Sequence, residues 1–540
     1  MRLIMFLILL AISLPAESQG LTTPSEGAQV SIATKMTSTE GTFLREEDRD
    51  GTVYWVVRTK SGTLSIPKSI ILNWAPGLVA VPGAAQASCP AASAPVHFTL
   101  HGSNTVGAKL APALARAYAA KCGRVNEILR PSSVDEESDV EYSGAQGNAP
   151  FIFHFHTHGT KTGFESLLAN VADIGMASSP LNEDMLSQIH VSQIEKQRFK
   201  AELTANEAEN VIAMDGILIL VNDANTLKAL TIDQIARIFA GEINDWSQVG
   251  AVAGPIHIYS RDEKSGTYDT FKKLVLDAST PPRRLGNATL FQSNEDLSDA
   301  VAADPSGIGF AGFSSKRNAR AIAIDTVCGL SFPPAPFGVR SEDYPLSRRL
   351  YFYVPQVRRN NYINDFLSFV LSDEAQLTIN NSESIGLDIE KASPAYTAER
   401  TLLTLTSDIP STPAAKRVAA GFVRSVNGAV RLSVTFRFEK GSFALDSRAR
   451  EDLDRLVNYV RSNPGFARRI KVFGFTDKIY DFDYNLKLSK DRANEIAKAL
   501  SVALRTPIEA DGFGKIAPVA CGDSEAALQK NRRVEVWLQP

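Results

Sequence analysis

The stretch from Phe151 to Leu181, FIFHFHTHGTKTGFESLLANVADIGMASSPL, decides how this chain is read. Its opening FIFHFH is a short apolar strand in which His154 and His156 fall two residues apart and so share one face. Gly159, Thr160, Lys161, Thr162 and Gly163 then make a loop of small residues, an amphipathic helix follows, and VADIGMA is a second short strand. Strand, loop, helix and strand in that order build parallel sheets covered by helices.

Working outward, the same alternation runs from Val96 to about Ala392. Strands VHFTL, GILILV, PIHIYS and GIGFAGF alternate with helices AKLAPALARAYAAKC, TIDQIARIFAG, YDTFKKLVLD and DFLSFVLSDEAQLTI, which predicts α/β layers. Before it, residues 26–88 alternate apolar and polar side chains around Asp50-Gly51 and Ser61-Gly62, two hairpin signals that predict a small all-β domain. After it, SDIPSTPAAKR reads as a linker followed by one helix, and residues 425–540 as an α+β domain. The expected boundaries are 1–20 for a signal peptide, 21–92 for the β-domain and its linker, 93–392, a linker at 393–424, and 425–540.

The 540 residues are 44% hydrophobic and 22% charged, an ordinary globular composition. A net charge of −3 argues against a nucleic-acid partner, which calls for a basic footprint. MRLIMFLILLAISLPAESQG has the basic start, short apolar run and small polar end of a cleaved export signal, with cleavage expected between Ala16 and Gly20. The mature chain is therefore expected to be exported. Cys89, Cys122, Cys328 and Cys521 leave one disulfide, or buried thiols, both open, and their spacing matches no zinc pattern.

Three loops in the α/β region share one device, a strand end followed by Gly, Ser and Thr and then a helix. They hold Gly102, Ser103, Asn104 and Thr105; Gly159 to Gly163; and Arg261, Ser265, Gly266 and Thr267. Each gathers free backbone N–H groups, hydroxyls and a helix dipole's positive end, which suits an anion. Capping alone explains a single loop of this kind. Three of them, two carrying Lys161 or Arg261, point to a shared anion.

GSNT, GTKTGFESLLANVADIGMASSPL, LTIDQIARIFAGEINDWSQVG and SRDEKSGT resemble, in order and rhythm, the phosphate-binding proteins of ABC transporters over about residues 95–390. The resemblance implies a two-lobed periplasmic-binding-protein fold that closes on phosphate, with crossover strands between the lobes. It implies as ligands Ser103, Asn104, Thr105, Thr160, Lys161, Arg261, Ser265, Gly266 and Thr267. The family's aspartate, which accepts the phosphate's own proton, is here Ser178. A serine also donates, so selectivity for phosphate over sulfate is open while binding of a tetrahedral oxyanion is expected. An ABC permease is the partner this implies.

Gly474-Phe475-Thr476-Asp477, Asn485 to Ala493 and Asn531 to Val534 resemble the OmpA-like peptidoglycan-binding family over essentially the whole last segment. In that family the residues matching Asp477 and Arg492 grip the diaminopimelate side group. Thr476, Asn485 and Arg533 are further candidates, although a purely structural role for Asn531 and Arg533 stays equally open. Ser489 reads as a helix N-cap, which would put Arg492 in the first turn. Phe475 stands where the family has histidine, a change expected to affect packing more than binding.

Three readings stay open for His154, His156 and His158: local bonding on a strand face, a place for His101 or His158 at the edge of the anion pocket, and a zinc or copper site. The last requires a bent strand or ligands from the partner strand. The reading at this point is a non-enzymatic receptor for phosphate or a similar oxyanion, tethered to peptidoglycan, without cofactor or metal. The alternative is a structural wall protein with a lost or altered ligand, favoured by Ser178 and opposed by Arg261 and Ser265. A metal-dependent phosphatase ranks lower, because no paired carboxylates or positioned nucleophile accompany the histidines.

Overall fold

The structure, a computed structural model, describes residues 29–540 apart from 35–37, 50–51, 60–61, 69–70, 77–87, 135, 145–147, 204–207, 263–264, 327–328, 383, 407–411, 439–444 and 523. The expected signal peptide, the turn residues Asp50, Gly51 and Ser61, and Cys328 lie outside the described residues. The chain divides into two compact units, Met1–Val79 and Ala80–Pro540.

The first unit is an antiparallel sheet of strands Gln29–Thr34, Ser38–Arg49, Thr52–Thr59, Gly62–Pro67 and Ile71–Pro76. Arg49 pairs with Thr52 and Thr59 with Gly62, which leaves two residues for each turn, as the hairpin signals predict. Phe43 and Trp55 are buried and meet edge to face at 5.5 Å.

The second unit opens with a two-lobed α/β domain. In its first lobe, strand Val96–Gly102 lies between strands Phe151–His156 and Ile174–Ala177, parallel to both. Strand alternation decides the faces: Phe98, Phe153 and Phe155 are buried under helices Ala111–Lys121 and Asn361–Val370, with Phe98 stacked on Phe153 at 4.4 Å. The other face carries His97, His101, His154 and His156. Strand Glu209–Val221 crosses to the second lobe and Ser347–Tyr353 returns, paired antiparallel from Glu209–Tyr353 to Gly216–Ser347. The second lobe has strands His257–Arg261 and Gly307–Gly312, parallel to each other, and a core in which Phe271 stacks on Phe310 at 4.1 Å.

The last segment is a four-stranded sheet, Val430–Arg437, Arg533–Leu538, Ile470–Phe475 and Glu509–Gly512 in spatial order, covered by helices Ser447–Arg461 and Phe482–Leu504. The segment expected as a linker carries two helices, Pro394–Thr406 and Pro413–Val426. Ala415, Ala419, Phe422 and Val426 form an apolar stripe at helical spacing, and Phe422 packs against Phe475, Phe513 and Trp537. The helix after the linker is thus part of the C-terminal core. Cys89 and Cys122 form a disulfide, and Cys521 is also disulfide-bonded.

The two-lobed domain and the C-terminal segment share an edge: Ala392 N–H donates to Arg431 O and Ser433 N–H to Glu390 O, both at 2.8 Å. Beside it, Glu342 accepts from Arg437 Nε at 2.6 Å, from Arg448 Nη1 at 2.8 Å and from Arg349. Burial pushes the Glu342 carboxyl up, but Arg349, Arg437 and Arg448 outweigh it and hold the group well below the carboxylate range.

Candidate anion and wall-binding sites

The parallel strands of the first lobe end level, with His101 opposite His156 and Gly102 opposite Met176. The loops that follow therefore gather at the carboxyl end of the sheet, where α/β folds bind ligands. Gly102 has φ +137°, and a Cβ there would lie 2.1 Å from the Met176 carbonyl oxygen. Gly159 N–H donates to Gly102 O at 2.8 Å, fastening the second loop to the first. Thr160 and Ser178 are buried with their hydroxyls 3.2 Å apart, and Ser178 N–H donates to Thr160 Oγ1 at 3.1 Å. Ser103, also buried, donates its N–H to Met176 O at 2.9 Å.

The third loop comes from the second lobe. Ser265 caps helix Gly266–Phe271 by accepting the Tyr268 N–H. Gly266 lies against the first loop, since a Cβ there would be 2.2 Å from Thr105 Oγ1. The Arg261 guanidinium donates to Phe291 O (3.1 Å), Gln292 O (2.9 Å) and Asn294 Oδ1 (2.7 Å). Asn294 Nδ2 donates in turn to Thr267 Oγ1 at 3.1 Å, so this buried asparagine joins two of the expected ligands.

Arg348, which the sequence reading did not single out, joins the lobes. Its Nη2 donates to Thr105 Oγ1 at 2.8 Å and to Gly266 O at 3.2 Å, while Nε pairs with Asp215 Oδ2 at 3.1 Å. The Arg348 and Asp215 side chains are only 9% and 11% exposed, so the charge is held inside rather than on the surface. Asp269 Oδ2 lies 3.9 Å from Nη1. The available signal was the pair of arginines in SRRLYFY, cations at the head of an otherwise apolar strand.

Two expected ligands are not brought to this cluster. Asn104 Nδ2 donates to Glu136 Oε1 at 2.9 Å. Lys161 Nζ lies 3.4 Å from Glu165 Oε1 with both side chains 41% exposed, a solvated pair one helical turn apart. His158 meets Glu137 at 3.0 Å and Glu136 at 3.7 Å instead of the hydroxyls. His101 has Nδ1 2.8 Å from Ser166 Oγ and its ring on His156, and burial, then the charge of His156, push it down to about 4.

In the last segment, helix Phe482–Leu504 starts at Asp481, whose carboxylate accepts the Tyr484 N–H at 2.8 Å. Ser489 is therefore no N-cap and Arg492 sits mid-helix; FDYNLKL contains no breaker, so the helix begins two turns earlier than its serine. Ser489 instead accepts the Gly514 N–H at 2.9 Å, and a Cβ on Gly474 would lie 1.9 Å from Ser489 O. Asp477 Oδ2 accepts from Arg532 Nη1 at 3.0 Å. Arg532, not Arg533, is thus the motif arginine beside Asp477. Arg533 is buried on the opposite side, pairing with Glu535 at 2.7 Å and lying over the Phe475 ring at 4.1 Å. Arg492 lies over the Phe438 ring at 4.8 Å, and burial, then Arg532, push it down to about 10 against the pull of Asp477. Asn485 is fully buried and donates to Tyr480 O, while Thr476 N–H donates to Gly514 O.

Residues 139–374 match the PBP superfamily domain and residues 437–532 the OmpA family. The chain joins a PBP superfamily domain to an OmpA family domain. Phosphate-binding protein PstS of Staphylococcus haemolyticus is 27% identical over 228 residues, 40% of this chain and 67% of that protein. Protein SphX of Synechococcus elongatus is 27% identical over 252 residues, 44% of this chain and 69% of that protein. An ABC-type phosphate transport receptor from Vibrio cholerae superposes with a TM-score of 0.40 at 22% identity, covering 53% of this chain and 99% of the receptor. In the PBP superfamily domain the contacts among these residues form three groups: Thr105, Gly266 and Arg348; Thr160 and Ser178; and Arg261, Asn294 and Thr267. In the OmpA family domain Asp477 is bonded to Arg532, and Arg492 feels the charges of both.

Proposed function

We propose that the PBP superfamily domain binds phosphate or a similar tetrahedral oxyanion and that the OmpA family domain holds it to peptidoglycan in the periplasm. The observation that carries this reading is the single guanidinium of Arg348 bonded to both Thr105 and Gly266, a cation shared by the lobes where hydroxyl-bearing loops meet. A tetrahedral oxyanion accepts hydrogen bonds in every direction, and hydroxyls, helix N-termini and guanidinium groups answer it without water. The relatives named as phosphate-binding proteins support phosphate as the anion.

The chemistry is capture and release with lobe closure, without catalysis. In the OmpA family domain, Asp477 suits the ammonium of diaminopimelate and Arg492 its carboxylate. Uptake through an ABC permease and local storage are both served by such a receptor, and the tether sits awkwardly with a receptor that must diffuse to a permease.

Calorimetry on protein purified without phosphate tests the receptor reading, with phosphate, sulfate and arsenate as titrants. Heat from at least one is expected. No heat from any of the three sinks it and leaves the structural wall protein, a reading favoured by the way Thr160 and Ser178 satisfy each other.

A further inference from the structure

Five of the chain's seven histidines, His97, His101, His154, His156 and His158, stand on strands Val96–Gly102 and Phe151–His156 or just past them. A metal reading of this stretch needs ligands from a partner strand, and partner strands supply them. Strand Glu137–Ser143 runs antiparallel beside Phe151–His156 with Asp139 opposite His154 and Glu137 opposite His156. On the other side, His97 reaches across to His154.

The first rung of this ladder is Asp139, His154 and His97. Asp139 Oδ1 lies 2.7 Å from His154 Nδ1, and His154 Nε2 lies 2.9 Å from His97 Nδ1. With Asp139 accepting a hydrogen bond from His154 Nδ1–H, His154 Nε2 has the lone pair and accepts from His97 Nδ1–H, and His97 offers Nδ1 to a metal by carrying its proton on Nε2 instead. A carboxylate behind a histidine is the arrangement that orients metal-bound imidazole and raises its basicity. The rings are 3° from parallel with their nitrogens facing each other, and the His154 side chain is 26% exposed, open to an ion from solution. Bonds of 2.0–2.1 Å to one tetrahedral ion require nitrogens about 3.3 Å apart, a small rotation away.

We propose that His97 and His154, oriented by Asp139, bind a divalent transition-metal ion through two imidazole nitrogens, with water on the remaining positions. The second rung contributes charge instead of ligands, because Glu137 Oε1 already lies 2.9 Å from His156 Nδ1 and 3.0 Å from His158 Nε2. Among the described residues, the one group of three or more His, Cys, Asp or Glu whose ligand atoms lie within 4.8 Å of one another is Cys89, Cys122 and Asp365, and its cysteines are in the disulfide. A two-imidazole site selects by intrinsic affinity, so Cu2+ binds more tightly than Zn2+ or Ni2+.

The test uses the full chain, without an affinity tag and stripped with EDTA, titrated with Cu2+ or Zn2+ against a chromophoric chelator. The expected result is one ion per chain, Cu2+ ahead of Zn2+, and a Cu2+ paramagnetic resonance spectrum showing two coupled imidazole nitrogens. His97→Gln and His154→Gln each weaken binding at least tenfold and reduce the coupling to one nitrogen, while Asp139→Asn weakens it about tenfold with both nitrogens kept. His257→Gln, at an isolated histidine paired with Asp304 on the second lobe, leaves binding unchanged. Circular dichroism checks that each variant is folded. Unchanged stoichiometry and affinity in folded His97→Gln/His154→Gln protein overturns the proposal, as does a parent spectrum without two-nitrogen coupling.

Discussion

Arg348 and Arg349 are neighbours on one strand that bond different domains of the second unit. Arg348 donates to Thr105 in the first glycine loop at 2.8 Å, and Arg349 donates to Asp446 at the start of an OmpA family domain helix, also at 2.8 Å. Strand geometry sends successive side chains to opposite faces, so the return strand carries both contacts at once.

Arg348→Ala removes the cation shared by the lobes and strands the buried Asp215 carboxylate. Phosphate affinity by calorimetry is expected to fall at least tenfold, with a loss of about 3 kcal/mol in unfolding stability. Arg348→Lys keeps the charge but not the planar fork that reaches Thr105 and Gly266 together, and recovers stability better than affinity. Affinity equal to the parent in Arg348→Ala removes Arg348 from the site.

Ser178→Asp tests selectivity. An aspartate beside Thr160 accepts from a protonated phosphate and repels fully deprotonated sulfate. The ratio of phosphate to sulfate affinity is expected to rise more than tenfold. An unchanged ratio places Ser178 away from the ligand.

In the OmpA family domain, Asp477→Ala with Arg492→Ala is expected to abolish cosedimentation with purified sacculi. Arg533→Ala acts differently: it leaves Glu535 with one guanidinium fewer in a buried network, and lowers the unfolding temperature instead. Wall binding lost through Arg533→Ala in protein of parental stability reverses this division between Arg532 and Arg533.

Acid acts through Glu342. Its carboxyl is held below the ordinary 4.5 in the folded chain, so the unfolded chain takes up protons first as the pH falls. The stabilisation is complete above pH about 4.5 and is lost progressively below it. Thermal melts at pH 7, 5, 4 and 3 are expected to show this slope, and Glu342→Gln to flatten it while lowering stability at pH 7 by about 3 kcal/mol. A slope identical in the variant assigns acid sensitivity elsewhere.

Much of this architecture was legible because local pattern and tertiary role agree. FIFHFH, its glycine loop and VADIGMA have the period and punctuation of a strand, loop and strand, and they fold as one. Thr160 and Ser178 were each singled out through the resemblance, and the contact between them came from the fold. Strand Glu137–Ser143 was not legible: its alternation of ESDVEYS is charged and offers little apolar signal, so the carboxylates facing the histidines went unseen. Arg348 and Asn294 were missed because they act across long separations, 243 residues in the case of Arg348 and Thr105. The misplaced helix start near Ser489 came from trusting a capping residue over the unbroken helix-forming run before it.

The network around Glu342 has one further consequence. Three arginines from different elements converge on it, and strand 430–437 is extended by 390–392, so the two lobes are joined to the OmpA family domain by ion pairs and backbone hydrogen bonds and not by the chain between them alone. A pull on the OmpA family domain is therefore shared among these bonds before it reaches the lobes.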